Sequence, residues 1–352
     1  MTRERPAPAY IVPPTEPFAD KQTCALLERS CSVLAASLSG AVPPGTCVAR
    51  VPDDVVSARS ILQRGSEAIV GRVVARLGRE AEARDRTSPA LKAALRSTYA
   101  QYRGMARAGE PLPTSAEAGF RVFSQFDEDG VVLLLLAAAG IGPARFVDIG
   151  AGDGVTGSNV ANLALNLGFH GLCIDAKPEN VQRGTHAFAA HPDTAFFPPV
   201  FRQALVTREN VNALVSEAGF VGEIDVLSID IDGNDYWIWE ALTCVSPRIV
   251  VVETHPELGM RPIVVPYDAH LAAGSPPEYL GASPAAMTKL ARRLGYRLAG
   301  ANRFGFNLLY LREDVAPPGL ASVDLGELLR HDRIRARERL FDAIAHLPFV
   351  EV

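Results

Sequence analysis

Phe146-Val147-Asp148-Ile149-Gly150-Ala151-Gly152-Asp153-Gly154 decides how the rest of the chain is read. A short β-branched and aromatic run leads into glycines at alternate positions. Such a run favours a strand. A backbone that turns sharply beneath a ligand leaves no room for Cβ, which is why glycine is used there. Asp148 is the last acidic group before the turn. A dinucleotide fingerprint, G-x-G-x-x-G, counted from Gly150 would place its third glycine at position 155, which is Val155. The spacing therefore disfavours a nicotinamide-dependent dehydrogenase.

Downstream, strands and helices alternate. A helix over 158–167 ends at Gly168, and a strand over 171–175 closes in Asp175. A third strand lies within 196–207, interrupted by Pro198 and Pro199, and a helix follows over 209–218. Strands over 224–230 and 248–253 flank an aromatic helix around Tyr236, Trp237 and Trp239. Runs such as Ile249-Val250-Val251-Val252, apolar on both faces, suit parallel strands covered by helices. The alternation predicts an α/β fold with a doubly wound sheet. Two further strands, over 296–299 and 306–311, are joined by a short loop, which permits only an antiparallel pairing.

Acidic residues recur at the ends of these strands: Asp148, Asp175, Asp230 and Glu253. Open α/β sheets bind ligands at the carboxyl ends of their strands, so the four converge on one rim. Asp175 stands near the offset at which an acid reaches ribose hydroxyls beside a glycine turn. A carboxylate accepts two hydrogen bonds from a vicinal diol, which no other side chain does as well. A sulfonium cofactor carrying an ammonium and a ribose suits such a rim. The residues expected to face it are Gln125, Asp148, Gly150, Ala151, Gly152, Gly154, Ser158, Asn159, Asp175, Ala176 and Asp230. Asp127, Glu128 and Asp129, before an apolar helix over 131–139, have two readings. They complement the helix N-terminus, or they overhang the glycine turn and touch the cofactor.

The Asp-x-Gly-x-Gly-x-Gly form resembles motif I of class I S-adenosylmethionine-dependent methyltransferases. Ser228-Ile229-Asp230-Ile231-Asp232-Gly233-Asn234-Asp235-Tyr236-Trp237, with Thr207-Arg208-Glu209-Asn210-Val211 before it, resembles the FkbM-like branch of that fold. Ser124-Gln125, Glu128-Asp129-Gly130, Gly281-Ala282-Ser283 and Gly305-Phe306-Asn307 extend the likeness across roughly 120–313. The resemblance implies a Rossmann-like seven-stranded methyltransferase sheet with an antiparallel last strand. It implies S-adenosylmethionine as cofactor and methyl transfer, commonly to oxygen, on a sugar or small natural-product acceptor. Asp232 stands where such proteins more typically carry glutamate, and Thr254-His255 where they often carry Tyr-Asn.

Methyl transfer is an in-line displacement, so the protein positions the acceptor and removes its proton. His255, Asp230 and Glu253 are the candidate catalytic residues; histidine as a residue type titrates near neutral pH. Asp230, Asp232 and Asp235 can alternatively hold a Mg²⁺, provided the turn folds back. The rival reading is a catalytically silent methyltransferase-fold module that binds a partner.

The chain has 352 residues, an apolar fraction of 48%, a charged fraction of 21% and a net charge of −5. With that net charge and dispersed basic residues, a broad nucleic-acid surface is not expected. The opening lacks an apolar run behind its charges and no stretch is long enough to span a bilayer, so a cytoplasmic protein without membrane contact is expected. Its cysteines, Cys24, Cys31, Cys47, Cys173 and Cys244, are odd in number and show no C-x-x-C pair, as for free thiols. The expected organisation is a flexible arm over 1–16 and a helical extension over 17–115. The methyltransferase domain spans 116–315 and a C-terminal helix 316–352. The extension would carry helices over 17–39, 56–77 and 89–105, serving as a lid, an acceptor element or a homodimer contact.

Overall fold

The computed structural model describes residues 85–269, 278–330 and 332–352, all within the compact unit Ala75–Val352. The expected arm over 1–16 and the helices over 17–39 and 56–77 lie outside the described residues. Strands β1 (Arg145–Ile149), β2 (His170–Asp175), β3 (Val200–Gln203), β4 (Gly222–Ile229) and β5 (Val245–Glu253) are followed by β6 (Ile263–Val264), β7 (Tyr296–Ala301), β8 (Asn307–Arg312) and β9 (Val350–Glu351). Seven of them form one sheet in the order β3-β2-β1-β4-β5-β8-β7, and β6 pairs with β9 apart from it. The first five pair in parallel, while β8 runs antiparallel between β5 and β7. This is the expected Rossmann-like methyltransferase sheet with its reversed strand.

Helices α1 (Pro89–Ala108), α2 (Ser115–Ala118), α3 (Glu128–Ala139), α4 (Ala161–Leu167), α5 (Pro178–Ala190), α6 (Val211–Glu217), α7 (Asp235–Ala241) and α8 (Pro284–Arg293) cover the sheet. Short helices α9 (Leu325–Leu328), α10 (Asp332–Glu338) and α11 (Phe341–Ile344) close the chain. Alternate residues of each central strand feed opposite cores. Val147, Ile149, Leu172, Ile174, Leu227 and Ile229 join one cluster, and Phe146, Cys173, Val226, Ile249 and Val251 the other. Burial on both faces is why these strands read as unbroken apolar runs. Helix α3 has no polar stripe because Val131 to Leu136 are all 0–1% exposed.

Three readings are adjusted. The third strand shrinks to Val200–Gln203, since Pro198 and Pro199 cannot donate to a ladder. Helix α5, left unassigned in the sequence, bridges β2 and β3. The single C-terminal helix expected within 316–352 is instead α9, α10 and α11 with β9 beyond them. At about 100° per residue, Ile334 would fall about 180° around a straight helix from Leu325, yet both are buried. Breaking the helix lets Leu325, Ile334 and Ile344 all reach apolar neighbours. Helix α1 packs on the sheet domain: Leu91, Tyr99 and Tyr102 join the cluster around α3. The Arg103 guanidinium donates to the Ala137 and Ala138 carbonyls at 3.2 and 2.9 Å. Among the described residues no helix is long and apolar enough to cross a membrane. Cys173 and Cys244 are free thiols.

Candidate active site at the carboxyl ends of the strands

The glycines after β1 serve separate ends. Gly150 adopts φ +86°, and a Cβ there would lie 1.7 Å from the Asp230 carbonyl oxygen. The turn can thus lie directly against the end of β4, where Asp230 N donates to Ile149 O at 2.9 Å. At Gly152, φ +57°, an added Cβ would meet nothing within 4 Å, because the space above it is open. Gly152 N donates to Asp175 Oδ2 at 2.9 Å, tying the turn to the end of β2. Gly154 is the exception to the expected set. It lines neither cavity, and an added Cβ would lie 2.9 Å from the Phe201 ring and 3.2 Å from the Phe188 ring, so glycine there leaves room for the two rings.

Two cavities meet at Gly150 and Asp230. One, of about 360 Å³, is lined by Gln125, Asp148, Ala151, Gly152, Ser158, Asn159 and Ser228 among others. The other, of about 580 Å³, has aliphatic walls at Ile174, Ala204, Leu205, Val206 and Ile231, with Asp175, Ala176 and Asp232 at its polar side. Asn159 Oδ1 in the first cavity and Asn234 Oδ1 in the second are buried acceptors with no partner. Asp148 is 4% exposed, and burial pushes its carboxyl up to about 7, with the Asp230 and Asp175 charges adding to the rise and the Ser228 hydroxyl opposing it.

Beyond Gly150 the acids gather. Oxygens of Asp230, Asp232 and Glu253 all lie within 4.8 Å of one another. Glu253 and Asp230 share a hydrogen bond, and burial followed by the neighbouring acidic charges raises both. Two carboxyls raised together hold a proton as a pair. The turn after β4 does fold back, with Asp232 at φ +55°. Asp235, however, is not the expected third member of an acidic trio with Asp230 and Asp232. Its carboxylate accepts from Ile231 N at 2.9 Å and Gly233 N at 3.0 Å, closing the turn, and Glu253 takes its place. His255 stands just past β5, 9% exposed, with Nδ1 3.1 Å from Glu257 Oε1.

Of the two readings of the acids before α3, the helix N-terminal one is met: Asp127 is the N-cap, and Glu128 and Asp129 lie in the first turn. None of the three lines a cavity, and Asp127, the N-cap, makes no side-chain cap bond. Asp129 Oδ2 accepts from the backbone of Val122, Phe123 and Ser124 and from the Ser124 hydroxyl, all at 2.7–2.8 Å. Glu128 Oε1 accepts from Asn302 and Asn307, and Asp127 Oδ1 from Arg303 N. The acids fasten two loops to the head of α3. One of those loops carries Gln125 into the first cavity. The cavity walls at Thr156, Gly157, Ser228, Leu205 and Val206 were missed in the sequence. Leu205 and Val206 fall inside the run taken for the third strand, so nothing marked them as wall residues.

No protein-family profile and no curated protein match the chain. Solved structures do. Magnesium protoporphyrin IX methyltransferase from Synechocystis PCC 6803 with bound SAM aligns at 16% identity and TM-score 0.33, covering 53% of this chain and 77% of that one. The N-terminal domain of EvdMO1 in the presence of SAH and D-fucose aligns at 14% identity and TM-score 0.36, covering 60% and 95%. An O-methyltransferase family protein from Burkholderia thailandensis aligns at 15% identity and TM-score 0.31, covering 52% and 57%. At these TM-scores the alignments carry no argument, and the fold rests on the strand order with its reversed β8.

Proposed function

We propose that this protein is an S-adenosylmethionine-dependent methyltransferase of FkbM-like type, acting on an oxygen of a sugar or other small hydroxylated acceptor. The observation that carries the reading is the pair of cavities meeting at Gly150 and Asp230. One has aliphatic walls with a carboxylate at its side, as an adenosine requires. The other is acidic and carries an orphaned amide oxygen at Asn159, as a cation with an ammonium requires. Asp175 keeps lone pairs for a ribose diol while its oxygens brace Gly152 N and Lys177 N. Asp148 and Asn159 would hold the ammonium, and Gly152 leaves the approach open.

When bound, S-adenosylmethionine supplies an electrophilic methyl group. The protein then has to hold an acceptor hydroxyl in line with that group and take its proton as the oxygen attacks. Glu253 and Asp230 hold a proton as a pair, so Glu253 steadies Asp230. Asp230 and His255 are the groups able to take the proton.

The test is calorimetry with S-adenosylmethionine and S-adenosylhomocysteine, with NAD as control, followed by mass-shift screening of hydroxylated acceptors. Asp175→Ala is expected to weaken cofactor binding by about 1–3 kcal/mol, the range for leaving hydrogen-bonding groups unpaired. Binding of NAD with no heat from either sulfur compound would end the reading. Cofactor binding with no acceptor turned over across the panel would favour the silent module.

A further inference from the structure

We infer that Glu257 and Arg337 are positioning residues that fix His255 with Nε2 as its free lone pair, making His255 the proton acceptor of the reaction. The inference rests on the methyl-transfer reading for its chemistry, but its geometry stands without it.

Three features hold the imidazole. Its backbone N–H donates to Ala282 O at 2.9 Å, fixing the residue against the segment that precedes α8. Its ring is seated on Gly281, where an added Cβ would lie 2.4 Å from Cδ2 and 2.8 Å from Nε2. Gly281 also has φ +59°, so the seat is available only to glycine without strain. The third feature is the bond from Nδ1 to Glu257 Oε1 at 3.1 Å.

That bond decides the tautomer. Glu257 is 1% exposed, and its other oxygen lies 3.3 Å from Arg337 Nε. Burial alone would raise the Glu257 carboxyl, but with one oxygen bonded to His255 Nδ1 and the other beside the Arg337 guanidinium it is held below its ordinary value. An ionised carboxylate only accepts, so Nδ1 must carry the hydrogen. In the neutral ring Nε2 is then the bare acceptor. Nε2 is buried and has no hydrogen-bond partner. Buried nitrogen acceptors left in that state are uncommon in a finished core.

The groups around the ring come from several elements. Glu253 lies on its own strand, Asp230 ends β4 and Asp235 opens α7, and a charge on the ring would act on both aspartates. Glu257 is the only one of these acids bonded to Nδ1. Arg337 belongs to α10, outside the stretch resembling the methyltransferase branch. The tail is anchored there: β9 pairs with β6, Val352 N donates to Pro262 O at 3.0 Å, and Ile344 packs with Leu258, Ile263 and Val265. The C-terminal segment thus contributes the outer member of a chain ending at Nε2.

In the step this implies, the acceptor O–H proton passes to Nε2 as the oxygen bonds the methyl carbon and the carbon–sulfur pair leaves with sulfur. The resulting imidazolium is balanced by the Glu257 carboxylate, and its proton later returns to water.

The decisive measurement uses the full chain with no ligand: long-range ¹H–¹⁵N correlation of the histidine rings, His255 being assigned by its loss in His255→Gln. The expected signature is the Nδ1–H tautomer in the wild type. In Glu257→Gln it should shift toward Nε2–H, because an amide can donate to Nδ1, and Glu257→Asp should restore it in part. Arg337→Met, at a half-exposed site, should move the signature the same way without unfolding the protein, and stands in if Glu257→Gln fails to fold. An Nε2–H tautomer in the wild type, or an unchanged signature in folded Glu257→Gln, overturns the inference. With an acceptor in hand, Glu257→Gln should lower kcat about 10–100-fold, part of the 10²–10⁴ a general base contributes, with cofactor affinity unchanged. Absence of cofactor binding with the expected tautomer would sink methyl transfer and the role of base, while the positioning by Glu257 would stand.

Discussion

Asp148 shows how one side chain couples the fold to its ligand. Its carboxyl sits at about 7 instead of 3.8, chiefly because it is buried. The folded state therefore binds its proton more tightly than the unfolded chain does. This contribution to stability is fully present below about 4 and is lost as the pH rises through about 7, after which it is level. A cationic ligand reverses the preference, since the carboxylate form attracts an ammonium. Cofactor affinity measured by calorimetry is thus expected to rise several-fold as the pH passes through about 7, and Asp148→Asn should flatten both that rise and the fall in Tm. Equal pH profiles for the variant and the wild type would remove Asp148 from the site. The Glu253 and Asp230 pair leads to a second expectation. A proton held between them already offsets the charge repulsion that a cation would relieve. Turnover should therefore persist in excess EDTA, whereas loss with chelator and recovery with Mg²⁺ would place a cation among the acids.

At the scale of elements, the turn between β4 and α7 can be tested through Asp235. It is 1% exposed, and its two oxygens receive the Ile231 and Gly233 N–H groups. Asp235→Ala would leave both donors buried, at a cost of about 3 kcal/mol, read as a lower midpoint in urea. An unchanged midpoint would show that the carboxylate does not close the turn. The same turn shows what could and could not be read in the sequence. Period and composition exposed the strands, because residues such as Ile249 to Val252 bury both faces, and strand ends followed from them. That placed Asp148, Asp175, Asp230 and Glu253 on one rim. Which way each carboxylate faces depends on backbone dihedrals that no spacing reveals. Asp235 therefore appeared to be a ligand when it closes a turn, and Gly154 a ligand contact when it seats two phenylalanines. The acids before α3 were legible as a helix N-terminus, but their further partners at Asn302, Arg303 and Asn307 lie far along the chain and were not. The tail was misread because its apolar residues suit several short helices better than one straight face.

For the whole molecule, the question is how much chain the sheet domain needs. The expected boundary near residue 116 separates α1 from the domain, yet α1 buries Leu95 and supplies Ala106 to the core around α3. Its Arg103 also satisfies the last carbonyls of α3, at Ala137 and Ala138. Helix α3 in turn carries Glu128 and Asp129, which fasten the loop bearing Gln125 and the loop before β8. Removing α1 would expose the apolar side of α3 and loosen both loops at the cavity mouth. A fragment beginning at Ala75 is therefore expected to fold and to bind S-adenosylhomocysteine as the full chain does. One beginning at Glu117 should aggregate or melt well below it, with weakened binding. Circular dichroism comes first, to establish that each fragment is folded, and calorimetry then compares affinities. A fragment from Glu117 that is folded and binds with full affinity would show that α1 is dispensable to the site. A fragment from Ala75 that is folded yet fails to bind would place part of the cofactor site before residue 75.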